Sequence, residues 1–251
     1  MKITGKSALI TGGGTGVGRA VALQLARLGA SVAVNYSESR AEAEATAKDA
    51  QDLGVASLAV HADVSDESQV QRMVDEVRRK LGPVQILINN AAFTRFTDLA
   101  DLHALSQQQW DRTFAVNVSG TLYCTRAVVP MMKSEGWGRI VNVSSIAAFT
   151  GQGSSIAYCA SKAAILSLTR SFAKVLGPEI TVNAVAPGLI DTRWIASREN
   201  LEEIKDKYQK ETPLHRVLTP DDVAEVVVSL VTSMNLVTGQ TIVVDAGKLG
   251  S

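Results

Sequence analysis

The sequence predicts one doubly wound α/β domain, a parallel sheet with helices on both faces. Three observations predict it. Short β-branched runs alternate with longer helical stretches along the whole chain. Most of those runs are apolar at consecutive positions, as strands are when both faces of a sheet are buried. No linker, low-complexity tract or tandem repeat divides the 251 residues, so the chain reads as a single domain over 1–251.

The first run, 7–11, leads into a glycine-rich turn and then a helix over 17–28. That helix places Val17, Val21, Leu25 and Leu28 on one face. Strands follow at 31–35, 57–61, 85–89, 139–143, 181–185 and 240–244. Ser65 before Asp66 and Glu67 reads as a helix N-cap with carboxylates in the first turn. Ser106 and Gln109 fit a capping box. Thr219-Pro220-Asp221-Asp222 places a cap residue before a first-turn proline. A long helix is predicted over 157–176. The largest break in the rhythm is 186–218, with a helix expected at 199–210. An insertion after a strand's carboxyl end lies where such folds bind ligands. Trp194, Ile195, Tyr208 and Leu214 make it more apolar than a solvated excursion.

Composition narrows the function. Lys+Arg and Asp+Glu number 25 each, so no basic surplus supports a nucleic-acid partner. Cys124 and Cys159 form no CxxC pair, and the three histidines are scattered, which argues against a disulfide framework and a metal site. No apolar run reaches the ~20 residues of a membrane span. A cytoplasmic location with a small-molecule substrate is the expectation.

Two segments carry chemistry. In Thr11–Gly18 the glycines fall as G-x-x-x-G-x-G at Gly12, Gly16 and Gly18, with Gly14 between them. Glycine lets a pyrophosphate approach the backbone, and the helix start beyond it offers free N–H groups to phosphates. Tyr158 and Lys162 form Y-x-x-x-K, which puts phenol and ammonium on one helical face. That spacing alone also describes an exposed pair. But Ser145 stands thirteen residues before Tyr158, just past a strand end, and Asn117 lies inside a helical stretch that disfavours it.

Together these residues resemble the short-chain dehydrogenase/reductase family over essentially the whole chain. Thr11–Gly18, Asn89-Asn90-Ala91, Asn117, Ser145, Tyr158 with Lys162, and Pro187-Gly188 occur in the family's order and spacing. Ala92 stands where glycine is common. The resemblance implies a Rossmann-type sheet of about seven strands, a nicotinamide cofactor and usually a homotetramer. It also implies roles. Tyr158 is the general acid/base, its pKa lowered by Lys162 and the oxidised cofactor. Ser145 holds the substrate oxygen, with Ser144 as a structural rival. Lys162 holds the nicotinamide ribose, and Asn117 holds a relay water. Gly12, Gly14, Thr15, Gly16 and Val17 form the phosphate turn. Asp63 and Val64 meet the adenine. Asn90 and Ala91 border the adenosine ribose, and Asn89 braces the sheet. Pro187 and Gly188 belong to the cofactor site, and Ile190 and Thr192 after them hold the carboxamide.

Cofactor choice rests on the end of the second strand. The family's acidic position there is Tyr36, which carries no charge to repel a 2′-phosphate. Asn35, Ser37 and Arg40 offer donors. Glu38 and the absence of a cation at Thr15 weigh the other way, and the balance favours NADP(H) over NAD(H). The expected activity is hydride transfer between that cofactor and a ketone or secondary alcohol, most similar to 3-oxoacyl-(acyl-carrier-protein) reductases. A catalytically silent nucleotide-binding sensor is the alternative. The substrate pocket is expected along 93–96, 146–155 and 186–218. There Phe93, Phe96, Phe149, Trp194 and Ile195 supply apolar surface. Arg95 and Arg193 meet an anion or face solvent.

Overall fold

The computed structural model describes residues 2–196 and 200–250. Seven parallel strands form one sheet in the order β3-β2-β1-β4-β5-β6-β7. They are β1 (Ser7–Ile10), β2 (Ser31–Tyr36), β3 (Ser57–His61), β4 (Val84–Asn89), β5 (Gly138–Val143), β6 (Ile180–Pro187) and β7 (Thr241–Val244). Every residue of β1, β4 and β5 is buried, which is why those runs are apolar without alternation. Strand order reverses between β1 and β4. Such a reversal opens a crevice beyond the carboxyl ends of the strands.

One face carries α1 (Gly16–Arg27), α2 (Arg40–Asp52) and α10 (Pro220–Thr232). Val21, Leu25, Ala43, Ala47, Val223 and Val227 seal it against Ile10, Val32 and Ile88. The other face carries α3 (Glu67–Leu81) and α5 (Gly120–Ser134), with Val70, Met73, Cys124 and Val128 against Leu9, Leu87 and Ile140. Between β4 and α5 run α4 (Gln107–Phe114) and a π-helical turn, Ala115–Ser119. After β5 come a short α6 (Ala147–Thr150) and the long α7 (Ile156–Leu176).

The predicted capping box at Ser106 with Gln109 is formed, and Thr219 caps α10 as expected, with Asp222 completing a second capping box. The predicted Ser65 cap is displaced by one residue. Asp66 is the N-cap of α3 and accepts from Ser68 and Gln69, while Ser65 turns back to donate to Asp63. A carboxylate one position later serves the orphan amides as well, and frees the serine. The segment after β6 is helical twice, at α8 (Arg193–Ala196) and α9 (Leu201–Glu211), and is tied back by a bridge from Ile190 to Leu218. Glu199, where the α9 helix was expected to begin, and the Trp194 side chain lie outside the described residues. Leu214 is 69% exposed, against the apolar packing expected of it. No described helix is long and apolar enough to cross a membrane.

Candidate active site

A cleft of about 550 Å³ lies beyond the carboxyl ends of the strands, across the reversal between β1 and β4. Apart from Arg40, every residue expected to hold the cofactor lines it: Gly12, Gly14, Thr15, Gly16 and Val17 after β1; Asn35, Tyr36 and Ser37 at the end of β2; Asp63 and Val64 after β3; Asn90 and Ala91 after β4; Pro187, Gly188, Ile190 and Thr192 after β6. Ser145, Tyr158 and Lys162 line it as well. Asn117 does not, and stands behind the wall.

The turn after β1 is shaped by close approach. Gly12 has φ +60°, and a Cβ there would meet Ala91 Cα at 3.1 Å. A Cβ on Gly18 would stand 2.4 Å from the Gly12 carbonyl oxygen. Only glycine fits, and the space left open faces the first turn of α1. Asn90 closes the turn from β4, its amide donating to the Thr11 and Gly12 carbonyls at 2.9 and 3.0 Å. A phosphate-bearing dinucleotide fits this cradle: bare backbone, a helix N-terminus and a cleft of ligand size.

At the other end, the strand β5 delivers Ser144 and Ser145. Ser144 Oγ donates to the Lys162 carbonyl at 2.9 Å, a structural role. Ser145 Oγ accepts from the Ala147 amide at 3.2 Å and faces the cleft. Tyr158 and Lys162 come from the first two turns of α7, which Ser155 caps by accepting from the Tyr158 amide. Lys162 is 2% exposed and donates to the Val143 carbonyl at 2.8 Å. An ammonium has three donors, so two remain for other acceptors.

Electrostatics differ here from the sequence expectation. Burial pushes the Tyr158 phenol up to about 12, against a hydrogen bond with Ser145 that pulls it down. Burial brings Lys162 down to about 7. In the protein alone both groups are therefore driven toward their neutral forms, and the lysine does not overcome burial at the phenol. Desolvation opposes ionisation of Asp63, but hydrogen bonds from Ser65 and Arg112 hold its carboxyl below its ordinary value.

Three of the expected residues also make structural bonds. The Asn117 side chain sits in the π-turn and both its N–H groups are used: Oδ1 accepts from the Phe93 amide at 2.7 Å, and Nδ2 donates to the Phe93 carbonyl at 3.0 Å and Ser161 Oγ at 2.9 Å. It pins the Phe93 loop to α7, and its amide has no donor left for a water. Asn35 is a brace. Its amide donates to the Ala62 carbonyl at 3.0 Å and reaches the Tyr36 carbonyl at 3.3 Å, and its Oδ1 accepts from Gly12 at 3.3 Å, so both donors already have backbone acceptors. Asp63 accepts from Ser65 and is paired with Arg112 at 2.9 Å, so its carboxylate is partly engaged before any adenine arrives. As expected, Asn89 braces the sheet, donating to Asn142 Oδ1 at 2.8 Å.

Sequence reasoning missed Arg112, which lines the cleft and ties α4 to Asp63. It also missed Ser161, whose hydroxyl donates to the Tyr158 carbonyl at 2.8 Å while accepting from Asn117. Nothing in local spacing marks either. Phe93 lines the cleft, whereas Phe96 and Phe149 are 47% and 48% exposed and close no pocket by themselves. Cys159 is a buried packing residue whose thiol burial pushes up. Among the described residues no cluster of His, Cys, Asp or Glu is placed to hold a metal.

A dinucleotide cleft with a phenol, an ammonium and a hydroxyl at one end defines the class of nicotinamide-dependent oxidoreductases. The profile of the family described as enoyl-(acyl carrier protein) reductase matches residues 12–248. A protein named ketoacyl reductase 2 of the granaticin polyketide synthase, from Streptomyces violaceoruber, is 41% identical over 96% of this chain and 94% of its own. The 3-oxoacyl-[acyl-carrier-protein] reductase of Aquifex aeolicus is 37% identical over 98% of both chains. A solved structure assigned to the short-chain dehydrogenases/reductases, from Burkholderia xenovorans, superposes with a TM-score of 0.92 at 33% identity, covering 98% of each chain. The chain belongs to the short-chain dehydrogenase/reductase family. It is an NAD(P)-dependent enzyme that moves a hydride between a nicotinamide and a carbonyl or alcohol carbon.

Proposed function

We propose that the enzyme reduces a 3-oxoacyl thioester or a closely related ketone, with NADP(H) as its cofactor. The observation that carries this reading is the convergence of Ser145, Tyr158 and Lys162 on one end of a cleft whose other end is a glycine cradle. The names of the relatives direct the substrate class, and Tyr36 in place of an acid supports the cofactor.

The cofactor, when bound, supplies the hydride. The chain's own residues manage the oxygen and its proton. Ser145 Oγ donates to the substrate oxygen and stabilises the charge that grows there. Tyr158, held protonated by its surroundings, gives its proton to that oxygen as general acid. Lys162 lies beside the Tyr158 ring, held by the Val143 carbonyl, and stabilises the phenolate left behind. Asn117 fixes the Phe93 loop and the start of α7 relative to each other, a positioning role. The glycine turn, Asp63, Val64, Asn90 and Ala91 would hold the adenosine and phosphates. Ile190 and Thr192 would hold the carboxamide.

The test is a panel of 3-oxoacyl thioesters, simple ketones and secondary alcohols, assayed with both cofactors by the absorbance of the reduced nicotinamide. Turnover of small alcohols with NAD(H) alone, and none of the thioesters, would overturn the substrate and cofactor assignments together.

A further inference from the structure

The cleft contains a charged residue with no assigned role. Arg193 stands at the start of α8, in the segment that follows β6, yet its guanidinium reaches the opposite rim. Nη2 donates to Ser39 Oγ at 2.8 Å and Nη1 pairs with Glu42 Oε1 at 3.0 Å. Ser39 is the N-cap residue of α2 and Glu42 lies in that helix's first turn. The loop between β2 and α2, Tyr36 to Ser39, lines the cleft beside them.

We propose that Arg193 is a specificity-determining residue for the 2′-phosphate of the cofactor, delivered to the adenosine end of the cleft by the substrate-side segment. The inference rests on reading the cleft as a nicotinamide-dinucleotide site. In a doubly wound fold the end of the second strand faces the ribose hydroxyls, and a cation is needed nearby if a phosphate replaces one of them. The local sequence provides none. Thr15 in the glycine turn is neutral, and Arg40 is turned outward to Glu44 at 2.7 Å, off the cleft wall. Among the described residues lining the cleft the cations are Arg112, Lys162 and Arg193. Arg112 is held by Asp63 and Ser65. Lys162 is buried at the far end against the Val143 carbonyl. Arg193 is the cation at the β2 rim.

The chemistry suits the task. A guanidinium has five donors in a planar fork matched to phosphate. Two are occupied by Ser39 and Glu42, which orient the fork without exhausting it. The first turn of α2, thirteen residues long, adds its own N–H groups and dipole toward an anion at the same place. Glu42 sets the balance. It holds Arg193 when no phosphate is present and competes with one that arrives, so its charge weakens phosphate binding as it orients the donor.

The rival role for Arg193 is a contact to the pyrophosphate. Its neighbour Thr192 lies against the glycine turn, where a Cβ on Gly16 would stand 3.5 Å from the Thr192 methyl. Two small probes separate the roles: 2′,5′-ADP carries the 2′-phosphate, and 5′-ADP lacks it but keeps the pyrophosphate. The full-length protein is titrated with each by calorimetry. Arg193→Met should weaken 2′,5′-ADP by about 10-fold or more and leave 5′-ADP within about 3-fold. Its binding of 2′,5′-ADP should also depend less steeply on salt. Glu42→Gln should tighten 2′,5′-ADP and leave 5′-ADP unchanged, which provides a second arm independent of the arginine variant. Equal weakening of both probes by Arg193→Met would assign the arginine to the pyrophosphate and overturn the inference. So would no weakening of either. A wild type that binds 5′-ADP as tightly as 2′,5′-ADP would overturn it too, while the dinucleotide reading of the cleft stands. A wild type that binds neither removes both.

Discussion

Lys162 Nζ lies 5.4 Å from the centroid of the Tyr158 ring, and the two groups are shifted in opposite directions by one cause. Burial raises the phenol and lowers the ammonium, so each is driven toward its neutral form. Such a phenol is poised to donate a proton to an oxygen that is gaining charge. Removing the proton and keeping the ring isolates that role. Tyr158→Phe is expected to lower turnover by about 10²–10⁴-fold, the usual contribution of general acid–base catalysis, with cofactor affinity retained. Near-normal turnover in steady-state assays would remove Tyr158 from the reaction.

The same shifts make stability depend on pH in a fixed sense. An ordinary lysine titrates near ~10.4, and Lys162 is brought down to about 7. Below about pH 7 both states carry the proton, and the folded protein bears the full cost of a buried ammonium. Between the two values the unfolded chain holds the proton and the folded one does not, so stability rises with pH. Tyr158 acts oppositely. Its pKa is raised to about 12, so above about pH 10 the unfolded chain releases the proton first and stability falls. Buried Cys124, also raised to about 12, acts in the same sense as Tyr158 from about pH 9. Urea midpoints of the cofactor-free protein should therefore climb from pH ~7 to ~9 and decline above ~10. Lys162→Met should lose the climb. A climb of equal size in that variant would place its origin elsewhere.

The glycine turn offers a test of the cofactor end alone. A Cβ on Gly18 would stand 2.4 Å from the Gly12 carbonyl oxygen and 2.6 Å from Asn90 Nδ2. Neither a backbone oxygen nor an amide already bonded to Thr11 and Gly12 can retreat cheaply. Gly18→Ala should push the turn out of shape and weaken binding of NADP(H) by about 10-fold or more, with a stability loss of roughly 1–3 kcal/mol. Fluorescence titration of the reduced cofactor together with thermal melts would check both. Unchanged affinity would show that the turn does not shape the phosphate site.

Much of this fold was legible because buried parallel strands write long apolar runs and helix starts write caps. All seven strands agree within a residue or two, as do the capping box at Ser106 and the cap at Thr219. Ser65 was misplaced because Ser65 and Asp66 are both competent caps, and only the third dimension shows that Ser65 is needed by Asp63. The π-turn at Ala115–Ser119 is illegible in the sequence, since five residues are too few to display a change of helical period. Asn35 sits at the right place for a ligand contact, and its side chain braces the turn because Ala62 and Gly12 come within reach only in the folded sheet. Gly188 shows the same limit. A Cβ there would fall 2.0 Å from the Tyr208 hydroxyl of α9, so the glycine is needed for docking of a helix twenty residues later.

Cofactor preference should turn on Tyr36. Its ring leans edge-on against His61, with centroids 5.4 Å apart, and lines the cleft at the end of β2. Tyr36→Asp sets a carboxylate beside the ribose. A charged acceptor gains about 1.5–3 kcal/mol from a ribose hydroxyl, and it repels a 2′-phosphate. Both effects act in one direction, so the ratio of kcat/KM values should move toward NAD(H) by at least ~100-fold. Glu38, on the same wall, is the competitor. If Glu38 holds the ribose, the wild type prefers NAD(H) and Glu38→Ser, not Tyr36→Asp, changes the ratio.

Assembly is written on α7. Its inner face buries Ile165, Leu166, Thr169 and Leu176 against the sheet. Beside it runs a flank of Ala164 and Leu168, half-buried, Phe172, half-buried with its inner edge packed against the core, and Val175, which is 67% exposed. These positions recur every three or four residues, so they form one stripe along the helix. The core covers only its inner edge. Apolar side chains in a contiguous stripe on a stable fold mark a surface that another subunit covers, and a two-fold axis lets the same stripe cover itself. We expect a homo-oligomer, a tetramer if a second face is used as well. Light scattering at micromolar concentration should give a mass of at least twice the 26.6 kDa chain. Leu168→Glu together with Val175→Lys should shift that mass downward, since the pair places charges where apolar surface must meet apolar surface. A monomer in the wild type would leave the stripe unexplained as an interface. An oligomer unmoved by the double variant would place the contact on another face.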